Sequence, residues 1–373
     1  MRALRLAFRR VLQQPSFSLL LRSFRLHRAS LLFLPLLAAA DFQIREHRVA
    51  PGTRADFELP VPAGSDPATH IPVTVIHGVK AGPTLLISAG IHGAEYVPVL
   101  AAQDLLKRLV PKTMAGTVIV VPVAHVASFE RATVYYNPFD HKNLARVFPG
   151  KPDGTQTERI AHIFTTELLR RADVLIDLHG GDATESLHPF VGVYGGTLAA
   201  RQYPLAKRIG LALGFQTIVR YRMDTLAQVD GANGRSPNRQ AVADGKAAVL
   251  VEVGDQGRRD AELVRGLADG LVNALRAMEM LPGSPASSPP RVEWITATAS
   301  AAPRATGIFY PLKTAGSRIW KGDRAGYVTD LFGKVVDELV APADGLILYM
   351  PFAPPLNAGP ASPLVIGIAG TPE

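Results

Sequence analysis

Cysteine is absent from the 373 residues, so the chain can form no disulfide and offers no thiolate. Any metal it binds must be held by imidazole and carboxylate. Charge is scarce as well: 19% of residues are charged against 47% hydrophobic, the balance of a folded chain and not of a disordered one. Acidic residues are missing altogether from residues 1–40, which hold seven Arg and no Lys. Setting those seven aside takes the net charge from +8 to +1. The remainder therefore lacks the basic surplus of a nucleic-acid-binding domain. Residues 29–40 are apolar but too short to span a bilayer as a helix. With the Arg-rich stretch before them and Ala38-Ala39-Ala40 before Asp41, they read as a secretory signal. That predicts an exported protein with no membrane span once matured. A basic amphipathic N-terminal helix is the other reading of the same residues.

The segment 84–96 is where the sequence becomes specific. Leu85-Leu86-Ile87 reads as a buried strand, and the chain then turns through Gly90 and Gly93. Residues 97–109 follow as an amphipathic helix, with Val99, Leu100, Leu105, Leu106 and Leu109 on its apolar side. His92 and Glu95 thus lie where a strand hands over to a helix, and open α/β sheets bind ligands at the carboxyl ends of their strands. A catalytic zinc takes three protein ligands and leaves one position for water, and two His with one Glu form such a set. Val174-Leu-Ile-Asp-Leu-His179 is a second apolar run, ending in His179 with 83 residues between it and Glu95. One histidine alone is ordinarily a satisfied core or surface imidazole. Two strand-end sites, each followed by Gly, point to a metal centre.

The rest of the chain alternates between strand and helix patterns. Residues 57–61, 71–76, 116–122, 190–194, 216–222 and 247–254 read as strands; 157–171, 198–213 and 260–280 read as helices. Segment 128–154 is long and irregular, the kind of loop that carries function. Residues 223–236 are polar and Gly-rich and suit a mobile loop over a pocket. Arg220 and Arg222 share a strand face, which is either an anion site or an exposed face. Glu252 stands inside an apolar strand, where a carboxylate is costly to bury without purpose. It is either a salt-bridge partner of Arg258 or Arg259, or a catalytic group beside the metal. Residues 282–290 have a linker composition, and short β runs with Gly turns follow. The predicted organisation is a signal peptide at 1–40, a catalytic domain at 41–281, a linker at 282–290 and a β domain at 291–373.

Four motifs in order, His92-Gly-Ala-Glu95, the 143–150 stretch Asn-Leu-Ala-Arg-Val-Phe-Pro-Gly, Asp177-Leu-His179 and Val251-Glu-Val-Gly254, make the chain resemble the succinylglutamate desuccinylase/aspartoacylase family of the zinc carboxypeptidase clan. The resemblance implies an open mixed, mostly parallel α/β sheet flanked by helices, with a small C-terminal lipoyl-like β barrel. It implies one zinc per chain on His92, Glu95 and His179, with Glu252 as general base. The family binds a substrate carboxylate through an Asn-Arg pair. Arg146 keeps the arginine, which suits bidentate carboxylate recognition, while Ala145 stands where Asn is common and Asn143 where Asp is common. Arg146 and Asn143 are the candidate substrate contacts, and Asp177 is placed to orient a ligand or the substrate. The C-terminal β region has no carrier lysine in a Met-Lys-Met-type turn, so a packing or pocket-shaping role is expected of it.

These readings converge on a zinc-dependent hydrolase that removes the acyl group from an N-acyl amino acid or related small N-acyl compound. A zinc carboxypeptidase acting on peptides would use the same centre. A non-catalytic metal-binding module would keep the fold, but retention of His92, Glu95, His179 and Glu252 together argues against it.

Overall fold

The computed structural model describes residues 40–286, 289, 291–361 and 363–371. The expected signal peptide lies outside the described residues apart from Ala40, whose carbonyl is 2.8 Å from Nε2 of His77. The chain opens with a hairpin of β1 (Phe42–Ile44) and β2 (His47–Val49), then the long antiparallel pair β3 (Thr53–Val61) and β4 (Thr69–His77). β5 (Lys80–Ser88), α1 (Tyr96–Arg108) and β6 (Ala115–Val121) form a parallel crossover unit. α2 (Val126–Glu130) and α3 (Gln156–Ile163) precede β7 (Val174–His179), β8 (Glu185–Leu187) and β9 (Phe190–Gly195). α4 (Tyr203–Ala212), β10 (Thr217–Arg222), α5 (Leu226–Asp230), α6 (Pro237–Ala243), β11 (Ala247–Glu252) and α7 (Ala261–Ala277) complete the α/β part.

Across the sheet the order is β3-β4-β6-β5-β7-β11-β9-β10. β6, β5, β7 and β11 at its centre are mutually parallel, whereas β9 is antiparallel to β11. The central strands are mainly apolar because both of their faces are covered. Leu85 and Ile87 face one core together with Val97, Leu105, Leu271 and Leu275 of α1 and α7. Leu86 faces the other, with Ile160 of α3 and Val242 of α6. The helix expected over 157–171 is α-helical to Ile163, then continues as a π turn, Phe164–Leu168, and a 3-10 turn, Leu169–Arg171. The change of winding keeps Phe164, Leu168 and Leu169 all buried. The segment expected to be a mobile loop at 223–236 contains α5, started by a capping box in which Thr225 and Gln228 bond each other's backbone.

The C-terminal residues are all β. β12 (Glu293–Ala301) pairs in parallel with β10, so the main sheet continues without a break across residues 282–290. β13 (Gly307–Pro311), β14 (Arg318–Ile319), β15 (Arg324–Thr329), β16 (Val335–Val340), β17 (Gly345–Pro351), β18 (Pro355–Leu356) and β19 (Leu364–Ala369) pair only antiparallel. β12, β19, β17 and β14 extend the main sheet, and β16-β15-β13-β18 form a second one. Phe309, Val328, Leu339, Ile347, Leu364 and Ile366 make the core that joins the two. β8, only six residues past His179, pairs with β17 and so ties this region to the chain near the carboxyl ends of the central strands.

Candidate active site

Three neighbouring strands deliver the candidate residues. β5 ends at Ser88 and turns through Gly90, whose φ of +63° favours glycine, to place His92 and Glu95 ahead of α1. His179 closes β7, and Glu252, the last residue of β11, is its register partner. His92, Glu95 and His179 are all buried, and one ligand atom from each lies within 4.8 Å of the others. His92 Nδ1 is 2.6 Å from Glu95 Oε1, and His179 Nδ1 is 3.1 Å from Glu95 Oε2. Burial would push the Glu95 carboxyl up, but the two imidazoles overrule it and hold its pKa at about 2.

The outer nitrogen of each histidine is also occupied. His179 Nε2 is 3.0 Å from Asp177 Oδ2, and His92 Nε2 is 3.1 Å from Asn143 Oδ1. Asp177 is itself fixed, accepting from Ser88 Oγ at 2.6 Å and from Asn238 Nδ2 at 3.0 Å. With Nδ1 turned inward and Nε2 held from behind, both rings have the orientation of metal-binding histidines. The donor set fits zinc, which favours imidazole and carboxylate oxygen at about 2.0–2.2 Å.

A cavity of about 380 Å³ opens beside the cluster, lined by His92, His179, Glu252, Arg146 and Arg239 among others. Asn143, expected on the substrate, faces His92 and also accepts from the Ala145 backbone at 2.8 Å. Arg146 reaches the cavity as expected. Burial lowers its pKa, and the charge of Arg239 lowers it further. Arg220 and Arg222 are engaged elsewhere: Arg220 lies over the Tyr203 ring, and Arg222 pairs with Asp224 at 2.9 Å. Arg258 pairs with Asp255 at 3.2 Å, and among the described residues no ion pair joins Glu252 to Arg258 or Arg259. Glu252 has its pKa raised to about 8, chiefly by burial and further by Glu95 and Asp177, against the opposing pull of His179 and Arg146. A bound dication would draw it down again.

On the side towards the C-terminal region, Tyr135 stands edge-on to His92 with ring centres 5.2 Å apart. Its hydroxyl is 3.2 Å from that of Tyr349 on β17, which donates to Glu185 Oε1 at 3.0 Å. Burial raises the carboxyls of Glu185 and Asp182, and the Glu95 charge raises both further. Asn238, Arg239, Tyr194 and Tyr221 line the same cavity and carry no signal in the sequence. They sit in ordinary local patterns, and only the packing of α6 against β7 and β11, with the 231–236 turn beside it, brings them together.

Residues 81–278 match the model of the succinylglutamate desuccinylase/aspartoacylase catalytic domain. The chain is 34% identical over 248 residues to the N-alpha-acetyl-L-2,4-diaminobutyric acid deacetylase of Halomonas elongata, covering 65% of this chain and 67% of that protein. The product-bound ectoine utilization protein EutE (DoeB) of Ruegeria pomeroyi superposes with a TM-score of 0.72 at 25% identity, over 84% of this chain and 94% of that one. A succinylglutamate desuccinylase from Silicibacter gives a TM-score of 0.72 at 26% identity, over 85% and 95% of the two chains. The motifs, the fold and the matched catalytic domain agree: this chain belongs to the succinylglutamate desuccinylase/aspartoacylase family.

Proposed function

We propose that the protein is a zinc-dependent deacylase that hydrolyses the amide of a small N-acyl amino acid. The observation that carries this reading is the convergence of His92, Glu95 and His179 beside Glu252, with their outer atoms already held. A zinc bound there supplies polarisation of the scissile carbonyl and a water of lowered pKa. Glu252 takes the water's proton and passes it to the departing nitrogen. Arg146 grips the carboxylate of the amino acid. Asp177 and Asn143 keep the two imidazoles in register and contribute no proton. The deacetylase and ectoine-utilization relatives support a small N-acyl substrate.

The test is metal content and turnover measured on one preparation, with N-acyl amino acids set against dipeptides varied at the C-terminus. About one zinc per chain is expected, lost in His179→Ala. Glu252→Gln should keep the metal while turnover falls by about 100- to 10,000-fold. Near-normal turnover in Glu252→Gln would end the assignment of the base. Turnover of dipeptides alone would replace the deacylase reading with a carboxypeptidase.

A further inference from the structure

We propose that Tyr221 gauges the length of the substrate's amino-acid side chain: seated over Gly192 and backed by Tyr194, its ring closes the end of the cavity away from the base. The inference rests on the deacylase reading for the identity of the ligand, and on the sheet register for the place of the wall.

The cavity lies over one face of the sheet, and the register lays that face out in rows. His179, Glu252 and Phe190 are partners across β7, β11 and β9 and form the first row. Asp177, Leu250, Gly192 and Val219 form the second, which reaches β10. Tyr194 and Tyr221, partners on β9 and β10, form the third. Rows on one face are two residues apart, so the tyrosines stand about 13 Å along the strands from the row of the base. The second row has a gap, because Gly192 carries no side chain. A Cβ there would lie 2.6 Å from Cε2 of Tyr221 and 3.1 Å from Cβ of Leu250. The Tyr221 ring therefore leans forward out of its own row, over Gly192 and beside Leu250.

Behind it the wall is firm. Tyr194 is buried, and the two rings stack with centres 5.2 Å apart and planes 29° apart. Burial raises both phenol pKa values, so the wall is uncharged. A neutral wall discriminates by contact, and one methylene too many in such a pocket costs roughly 10- to 200-fold in rate. The amino-acid half of the substrate is the half that meets it. Arg146, which grips the amino-acid carboxylate, and Glu252, which returns the proton to the departing nitrogen, line this same cavity. The carbon that bears both groups lies between them, and its side chain runs over Leu250 towards Tyr221.

The test uses the full chain with the N-acetyl derivatives of L-alanine, L-norvaline, L-norleucine and L-2-aminooctanoate, which differ only in the length of an unbranched side chain. Calorimetric Kd and kcat/KM are measured for each. The wild-type series should break at one length, losing about 10-fold or more between one member and the next. Tyr221→Ala should move the break to a longer member, with Tyr221→Leu as the bulkier variant if the alanine protein does not fold. Gly192→Ala, which pushes the ring forward, should move it to a shorter one. Tyr221→Phe keeps the ring and should leave the break in place. Melting temperature and zinc content of every variant are read alongside. A series without a break, a break that stays put in a folded Tyr221→Ala or Tyr221→Leu protein, or no binding of any of the four would overturn the gauge. A break in Kd that moves as predicted, with no turnover of any member, would instead overturn the deacylase reading and leave the gauge standing.

Discussion

At the scale of single residues, the site depends on atoms that never meet a substrate. Asp177 is buried, accepts from Ser88 and Asn238, and presents its second oxygen to both Asn238 and the far side of His179. Replacing it by Asn turns one of those acceptors into a donor. Asp177→Asn should weaken metal binding by about 10- to 100-fold. Competition with a chelator measures this, and affinity within twofold of wild type would show that His179 needs no such support. His92, Glu95 and His179 could be singled out in the sequence because zinc chemistry demands particular residue types at strand ends, and Glu252 because a carboxylate inside an apolar strand is costly to bury. Arg146, in an irregular segment, stood out only through the family resemblance. The place of Asn143 behind His92 could not, since a lone Asn in a loop fits a substrate contact equally well. Arg239 was hidden for a different reason: nothing in its local pattern separates a guanidinium aimed into a cavity from one aimed at water.

At the scale of elements, the strands were legible because two-sided burial leaves an uninterrupted apolar run, as in β5, β7 and β11. The long segment before α3 was legible only as irregular. Its order comes from three clips onto the first turn of that helix. Asn137 donates to Gln156 at 2.8 Å, Thr157 donates to Asp140 at 2.8 Å, and Lys142 pairs with Glu158 at 2.9 Å. The same Glu158 closes a capping box with Thr155. Burial would raise its carboxyl, but bonds from Lys142 and the Thr155 backbone hold it at about 2, against an ordinary value of 4.5. A depressed carboxylate stabilises the fold above its unfolded pKa, and that contribution is lost as pH falls through the folded one. Glu158→Gln should therefore cost about 1 kcal/mol at neutral pH, and the gap to wild type should close as pH falls from about 4.5 towards 2. Denaturant unfolding at several pH values measures it. A gap that is constant with pH would mean the carboxylate charge contributes nothing.

At the scale of the whole molecule, the sheet has no seam where the sequence suggests a linker. β12 covers the outer edge of β10, and Leu187, Phe190 and Val219 share a core with Ile295, Leu346 and Leu348. Composition could reveal a change of style at residues 282–290 but not that hydrogen bonding continues past it, because strand pairing between distant segments leaves no local mark. Deleting residues 291–373 should expose both that edge and that core. The truncated chain is expected to be insoluble or molten, and a soluble product melting at the wild-type temperature would show the two parts to be independent. The same feature also sets a timetable. His92, Glu95, Arg146, His179 and Glu252 all lie at or before the end of β11, while the strands that cover the β10 edge come later in the chain. During synthesis, at roughly 5–20 residues per second, a nascent chain would hold a completed site and an uncovered strand for on the order of ten seconds. That interval is when this protein most needs protection from its neighbours on the same messenger.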